Sequence, residues 1–198
     1  MFKKIFITLF CLCAVCVFSS ESKERLKAVV FDYNGVISAF NQNDYRELCE
    51  KEWGEDIATL DVAYEEYKNT VKDANYCEDE LWAFVSRWIG KEIPKGWIEK
   101  LTSFIEENFF NDPKMLSLIQ DLKEKNLKIY LLTNSWAFQY KILKDKGDFD
   151  CFDEVFVSCV YGLSKPDPKF FKAVLAKTGH KASECFFIDD KKVNVEAA

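Results

Sequence analysis

Four short, largely apolar runs, at 28–31, 127–132, 154–158 and 185–188, the second of them alternating, are separated by longer stretches of helical periodicity. That alternation constrains the fold more than anything else in the chain. Runs of four to six apolar residues suit strands buried on both faces of a parallel sheet. Strands joined through helices imply right-handed crossovers and an α/β architecture. The first run is the most informative, because Ala28 to Phe31 leads without interruption into Asp32, and Gly35 then lets the backbone turn away. A carboxylate there would project at the carboxyl end of its strand, where ligands bind in open α/β sheets. Asp32 is therefore the candidate nucleophile.

Between the first and second runs the pattern stays helical for about seventy residues. Helices are expected over 41–53, 57–72, 78–89 and 97–110, with Pro94 and Gly96 as punctuation. In the third of these Leu81, Phe84, Val85 and Trp88 recur at i, i+3, i+4 and i+7, which predicts one buried stripe. The simplest use of these aromatics is the core of a small helical bundle, with one or two turned toward the active site. Asp112-Pro113 and Asp167-Pro168 each have the form of an N-cap followed by a proline in the first turn, and open helices at 114–125 and 169–177. Asn126 and Gly179 close them.

Polar groups then collect at strand ends or in the loops beside them: Asp32 with Asn34, Thr133 with Asn134, Lys165, and Asp189 with Asp190. Singly these are ordinary turn and loop residues. As an ordered set, one after another along a parallel sheet, they describe a site.

In those residues the chain resembles the haloacid dehalogenase-like (HAD) hydrolase superfamily. The matching segments are FDYNGV at 31–36, LLTNS at 131–135, SKPDP at 164–168 and FFIDDKKVNVEAA at 186–198. The resemblance implies a Rossmann-like core over 27–38 and 112–198, a helical cap over 39–111, and a covalent aspartyl intermediate. A sheet of this type usually carries one more strand or helix, so the chain reads as truncated after Ala198, with one sheet edge or face left open.

The chemistry is consistent with that likeness. A carboxylate can attack phosphorus and split one difficult displacement into two easier ones. Magnesium takes oxygen ligands, typically one or two carboxylates together with the substrate phosphate. Asp32, Asp189 and Asp190 meet that need, Asp190 being the first choice for direct ligation and Asp189 a ligand or a partner behind it. The resemblance adds the backbone carbonyl of Asn34 as a metal ligand. Thr133 and Asn134 would donate to phosphoryl oxygens, and Lys165 would offset Asp32 and steady the transferring group. Asn194 would orient Asp190. In the superfamily's phosphatases the residue two after the nucleophile is an Asp that protonates the leaving oxygen. Here it is Asn34. General acid–base catalysis contributes about 10²–10⁴-fold, so the expectation is a magnesium-dependent phosphatase of a small phosphorylated metabolite, slow or confined to good leaving groups. The alternatives are a 2-haloacid dehalogenase, which needs neither the acid nor a metal, and an exported binding protein that kept the fold and lost turnover.

Residues 1–19 read as a signal peptide: Lys3 and Lys4, an apolar stretch over 5–18, then Ser19 and Ser20. The expected location is periplasmic or secreted. If uncleaved, the segment would be a membrane anchor, although its apolar stretch is shorter than the roughly 20 residues of a span. Cleavage would remove Cys11, Cys13 and Cys16 and leave Cys49, Cys77, Cys151, Cys159 and Cys185, an odd set without zinc-type spacing. The net charge of −6, without a basic block beyond the N-terminus, argues against a nucleic-acid partner. The lone His180, in a polar loop, is expected to be exposed and to have no role.

Overall fold

In a computed structural model of the protein, which describes residues 3–6, 25–38, 42–71 and 78–198, the strand β2 (Ala28–Phe31) lies at the centre of the sheet. All four of its residues are buried. It pairs in parallel with β3 (Lys128–Thr133) on one side and β5 (Cys185–Asp189) on the other, and β3 pairs with β4 (Glu154–Val157). The unbroken apolar run is explained by helices on both faces. Val29 and Phe31 point into one core with Ile129, Leu131 and the helices that follow β2, while Ala28 and Val30 point into a second with Phe156, Phe170 and Val174. The period of two along a strand makes this division.

A strand not anticipated from periodicity, β1 (Lys3–Phe6), runs parallel to the outer edge of β5, giving the order β1-β5-β2-β3-β4. The outer edge of β5 is thus paired here. The rest of the expected signal segment, with its three cysteines, and Cys77 lie outside the described residues. Cys49, Cys151, Cys159 and Cys185 are free thiols, and all but Cys151 are buried.

Four helices intervene between β2 and β3 before the sheet resumes: α1 (Gln42–Trp53), α2 (Ile57–Thr70), α3 (Glu78–Ile89) and α4 (Trp97–Asn108). Their centre is an aromatic cluster, with the rings of Trp53, Trp82 and Trp97 5.1 to 5.7 Å apart, as the bundle-core expectation required. The buried arc of α3 is rotated from the expected stripe. Leu81, Trp82 and Val85 are inside, whereas Trp88 is 45% exposed. Residues 81, 85 and 89 advance slowly around a helix of 3.6 residues per turn, so the arc drifts toward Trp82 and leaves Trp88 at its margin.

The outgoing and returning crossings of this insert are tied together. Ser38 bridges Asn111, and the Asp112 N–H donates to the Ile37 carbonyl at 2.9 Å. The Tyr33 hydroxyl donates to Asp148 at 3.1 Å, and Asn111 Nδ2 donates to the Asp148 carbonyl at 2.8 Å. After the insert, α5 (Pro113–Glu124) and α8 (Pro168–Thr178) are capped as expected: Asp112 and Asp167 accept the N–H groups of Lys114 and Lys169, each at 2.8 Å. Between them α6 (Ala137–Asp145) follows β3, and a single helical turn, α7 (Ser158–Tyr161), ends β4 one residue early. A short helix, α9 (Lys192–Ala197), follows β5. His180 is half-buried rather than exposed, with its Nε2 3.1 Å from the Tyr130 hydroxyl.

Candidate active site

Strand register, more than any single residue, assembles the site. Phe31 stands opposite both Leu131 and Ile188, so the three strands end level and Asp32 emerges beside Asp189. The Asp32 N–H continues the ladder to the Ile188 carbonyl at 2.9 Å. Beyond it the chain folds back on itself, with the Ile37 and Ser38 N–H groups both donating to the Tyr33 carbonyl at 2.9 Å. Gly35 sits at the apex with φ +77°, a conformation that strains other residues. A Cβ there would meet Asp190 Oδ2 at 2.8 Å, so glycine lets this loop approach the second carboxylate pair closely.

Asp32 is buried, and its Oδ1 takes both of its hydrogen bonds, from the Tyr33 N–H at 2.7 Å and from Lys165 Nζ at 2.7 Å. Its Oδ2 has no partner among the described residues. Burial pushes the Asp32 carboxyl up to about 6; Lys165 pulls it back and the nearby Asp189 adds to the rise. Lys165 also bonds Asp189 Oδ2 at 2.6 Å, so one ammonium serves two buried carboxylates. The Lys165–Pro166 peptide is cis.

Asp189 is fully occupied. Its Oδ1 accepts from the Lys191 N–H at 2.8 Å and from Asn194 Nδ2 at 2.9 Å, and its Oδ2 accepts from Lys165 and again from Asn194 at 3.0 Å. Asn194, buried on α9, therefore holds Asp189, not Asp190 as expected. Asp190 differs from its neighbour, because its Oδ1 is buried and unpartnered.

The remaining expected residues divide into two groups. Asn34 lines the cavity with a buried, unpartnered Oδ1. Thr133 is buried with a partnerless hydroxyl, but it is not at the cavity wall. Asn134 lines the cavity while its amide is engaged with the Lys165 backbone, donating to the carbonyl and accepting from the N–H, both at 2.9 Å. It positions the loop that carries Lys165. Sequence reasoning did not identify Gln139, Lys191 or Trp136 as cavity residues, nor did it say which aromatics of the insert face it; these are Tyr45, Phe104 and Phe109. Periodicity marks which side of a helix is apolar but does not separate a core contact from a cavity wall.

The residues present fit a divalent cation. Oxygens of Asp32, Asp189 and Asp190 lie within 4.8 Å of one another. Among the described residues, three carboxylates stand against the one ammonium that bonds two of them, and Asp190 offers a buried oxygen without a partner. Oxygen-only donors of this kind suit magnesium better than zinc.

Comparison with known proteins gives the family and the fold. A family model described as haloacid dehalogenase-like hydrolase matches residues 26–198. The sesquiterpene phosphatase astK of Aspergillus oryzae is 29% identical over 173 residues, covering 87% of this chain and 84% of that protein. The glyceraldehyde 3-phosphate phosphatase of Methanocaldococcus jannaschii is 26% identical over 180 residues, covering 84% and 77%. Among solved structures, a HAD-family enzyme from Bacteroides thetaiotaomicron, in complex with magnesium and inorganic phosphate, superposes with a TM-score of 0.63 at 22% identity, over 87% of this chain and 88% of that one.

Proposed function

The chain belongs to the haloacid dehalogenase-like hydrolase family, and from that premise we propose that it is a magnesium-dependent phosphatase with Asp32 as its nucleophile. The observation that carries this reading is the asymmetry of Asp32. One oxygen is pinned by the Tyr33 N–H and Lys165, the other takes no hydrogen bond among the described residues, and an oxygen of Asp32 lies within 4.8 Å of one of Asp190. A nucleophile held in this way loses little freedom on attack.

Asp32, Asp190 and the backbone carbonyl of Asn34 would hold magnesium, which when bound supplies positive charge to offset that of the phosphoryl oxygens. Asp189, saturated by four hydrogen bonds, keeps Lys165 in place. Asp32 Oδ2 attacks phosphorus, the ester P–O bond breaks, and water then cleaves the aspartyl phosphate to release phosphate and regenerate the carboxylate. Lys165, bonded to Asp32, screens it from the approaching anion. An amide at position 34 is a poor proton donor, so the leaving alkoxide departs with little help and reactive esters are favoured.

The two named relatives are phosphatases, which supports phosphate ester hydrolysis. Their names span an apolar and a polar ester, so they leave the substrate open. The dehalogenase alternative has less support, because it does not use the carboxylate cluster.

In the full-length protein, p-nitrophenyl phosphate should be turned over slowly with magnesium and not at all with a chelator. Halide release from 2-chloropropionate without metal would instead favour the dehalogenase. Absence of turnover together with absence of magnesium binding by calorimetry would leave the binding-protein reading.

The composition of residues 1–19 supports export to the periplasm or medium. Cleavage after Ser19 would also take away β1 and open the outer edge of β5. Intact mass of the protein recovered from an exporting host should show loss of these residues. Recovery of the uncleaved chain from membranes would mean an anchor.

A further inference from the structure

The cavity above Asp32, of about 350 Å³, has two chemically distinct ends. Its charged lining residues among those described, Asp32, Lys165, Asp190 and Lys191, all come from the strand-end side. The insert contributes Tyr45, Leu101, Phe104, Ile105 and Phe109, none of them charged.

Apart from Asn34, which stands at the strand-end side next to Asp32, the amides lining the cavity already make hydrogen bonds within the protein. Asn134 is bonded to the Lys165 backbone, Gln139 Oε1 accepts from Ser135 at 2.8 Å, and Asn194 donates to Asp189. The Tyr45 side chain hydrogen-bonds Cys49. A sugar or nucleoside placed against this wall would bury hydroxyls opposite phenyl and alkyl groups, at a cost of roughly tenfold in affinity for each one left unpaired. An apolar chain would instead gain about fourfold per methylene. At about 30 Å³ per water-sized group, the cavity holds roughly a dozen such groups, which matches a phosphoryl group with an eight-carbon chain.

We propose that the substrate is a phosphate monoester of an apolar alcohol, its phosphoryl group at Asp32 and its hydrocarbon between α1 and α4. This rests on the phosphatase reading for which end the phosphoryl occupies, but the preference of the cavity can be measured without turnover. Calorimetry on the full chain with magnesium would compare methylphosphonate, octylphosphonate and 2,3-dihydroxypropylphosphonate. Octylphosphonate should bind at least about a hundredfold more tightly than the dihydroxypropyl compound. Phe104→Asn should shrink the octyl-to-methyl ratio at least tenfold, and Tyr45→Asn, at a half-buried position, serves if the first variant does not fold. Equal binding of the octyl and dihydroxypropyl compounds, a reversed order, or no binding of either overturns the proposal. Failure of p-nitrophenyl phosphate turnover alongside an intact octyl preference would sink the phosphatase reading and leave the apolar cavity standing.

Discussion

Asp32→Asn is expected to abolish aryl phosphate turnover, by more than about 10⁴-fold, while leaving the fold intact. Removing a covalent nucleophile eliminates the reaction path itself, and comparable losses follow such changes in other enzymes. The amide oxygen of Asn can still accept from the Tyr33 N–H and from Lys165, so the local hydrogen bonds survive. The substitution also removes one of the two buried carboxylates that compete for a single ammonium. Burial, with Asp189 adding to it and Lys165 opposing it, holds the Asp32 carboxyl at about 6, a sign that its charge is unfavourable in the metal-free fold. In a chelator at neutral pH the variant should therefore melt no lower than the parent. Residual turnover within tenfold of wild type would remove Asp32 from the nucleophile's role. A lost melting transition would mean that its part is structural.

The second large effect runs the other way. Asn34→Asp should raise turnover about 10²-fold, toward the lower end of what a general acid contributes. The gain should be greatest on alkyl phosphates, whose leaving groups most need a proton, and smallest on p-nitrophenyl phosphate. Position 34 lies in the cavity with its side-chain oxygen buried and unpartnered, so a carboxyl there has no protein bond to break. The neighbouring carboxylates of Asp32 and Asp190 would raise its pKa and keep it protonated closer to neutrality. A pH–rate profile for octyl phosphate should therefore fall on its alkaline side in the variant as that proton is lost. An unchanged or reduced rate on alkyl esters, with folding preserved, would mean that position 34 does not address the leaving oxygen.

How much of this was legible beforehand differs from element to element. The strand at 28–31 and the capped helices after Asp112 and Asp167 follow from short-range chemistry: an unbroken apolar run, or an aspartate before a proline. Those signals act within a few residues and survive without tertiary information. Trp88 and Trp82 show where the same reasoning weakens. Trp88 sits on the expected apolar stripe and Trp82 beside it, and only the packing of α3 against its neighbours selects which is buried. The strand at 3–6 lies further still from what periodicity can reach, because pairing at a sheet edge depends on an available partner and not on the segment's own pattern.

The site divides along the same line. Residue type and order were enough to nominate Asp32, Lys165, Asp189 and Asp190, since a carboxylate nucleophile with charge to balance requires those groups whatever holds them. Tertiary structure alone decided their division of labour. Asp189 is saturated by Lys165, Lys191 and Asn194, whereas Asp190 keeps an oxygen unpartnered among the described residues, a difference between adjacent residues of identical chemistry that arises because Asp189 ends β5 facing those three donors and Asp190 lies beyond the strand. It alone also turned Phe104 and Phe109 from generic apolar residues into a cavity wall, because a helix offers one apolar face and its neighbours decide whether protein or ligand fills the space beside it.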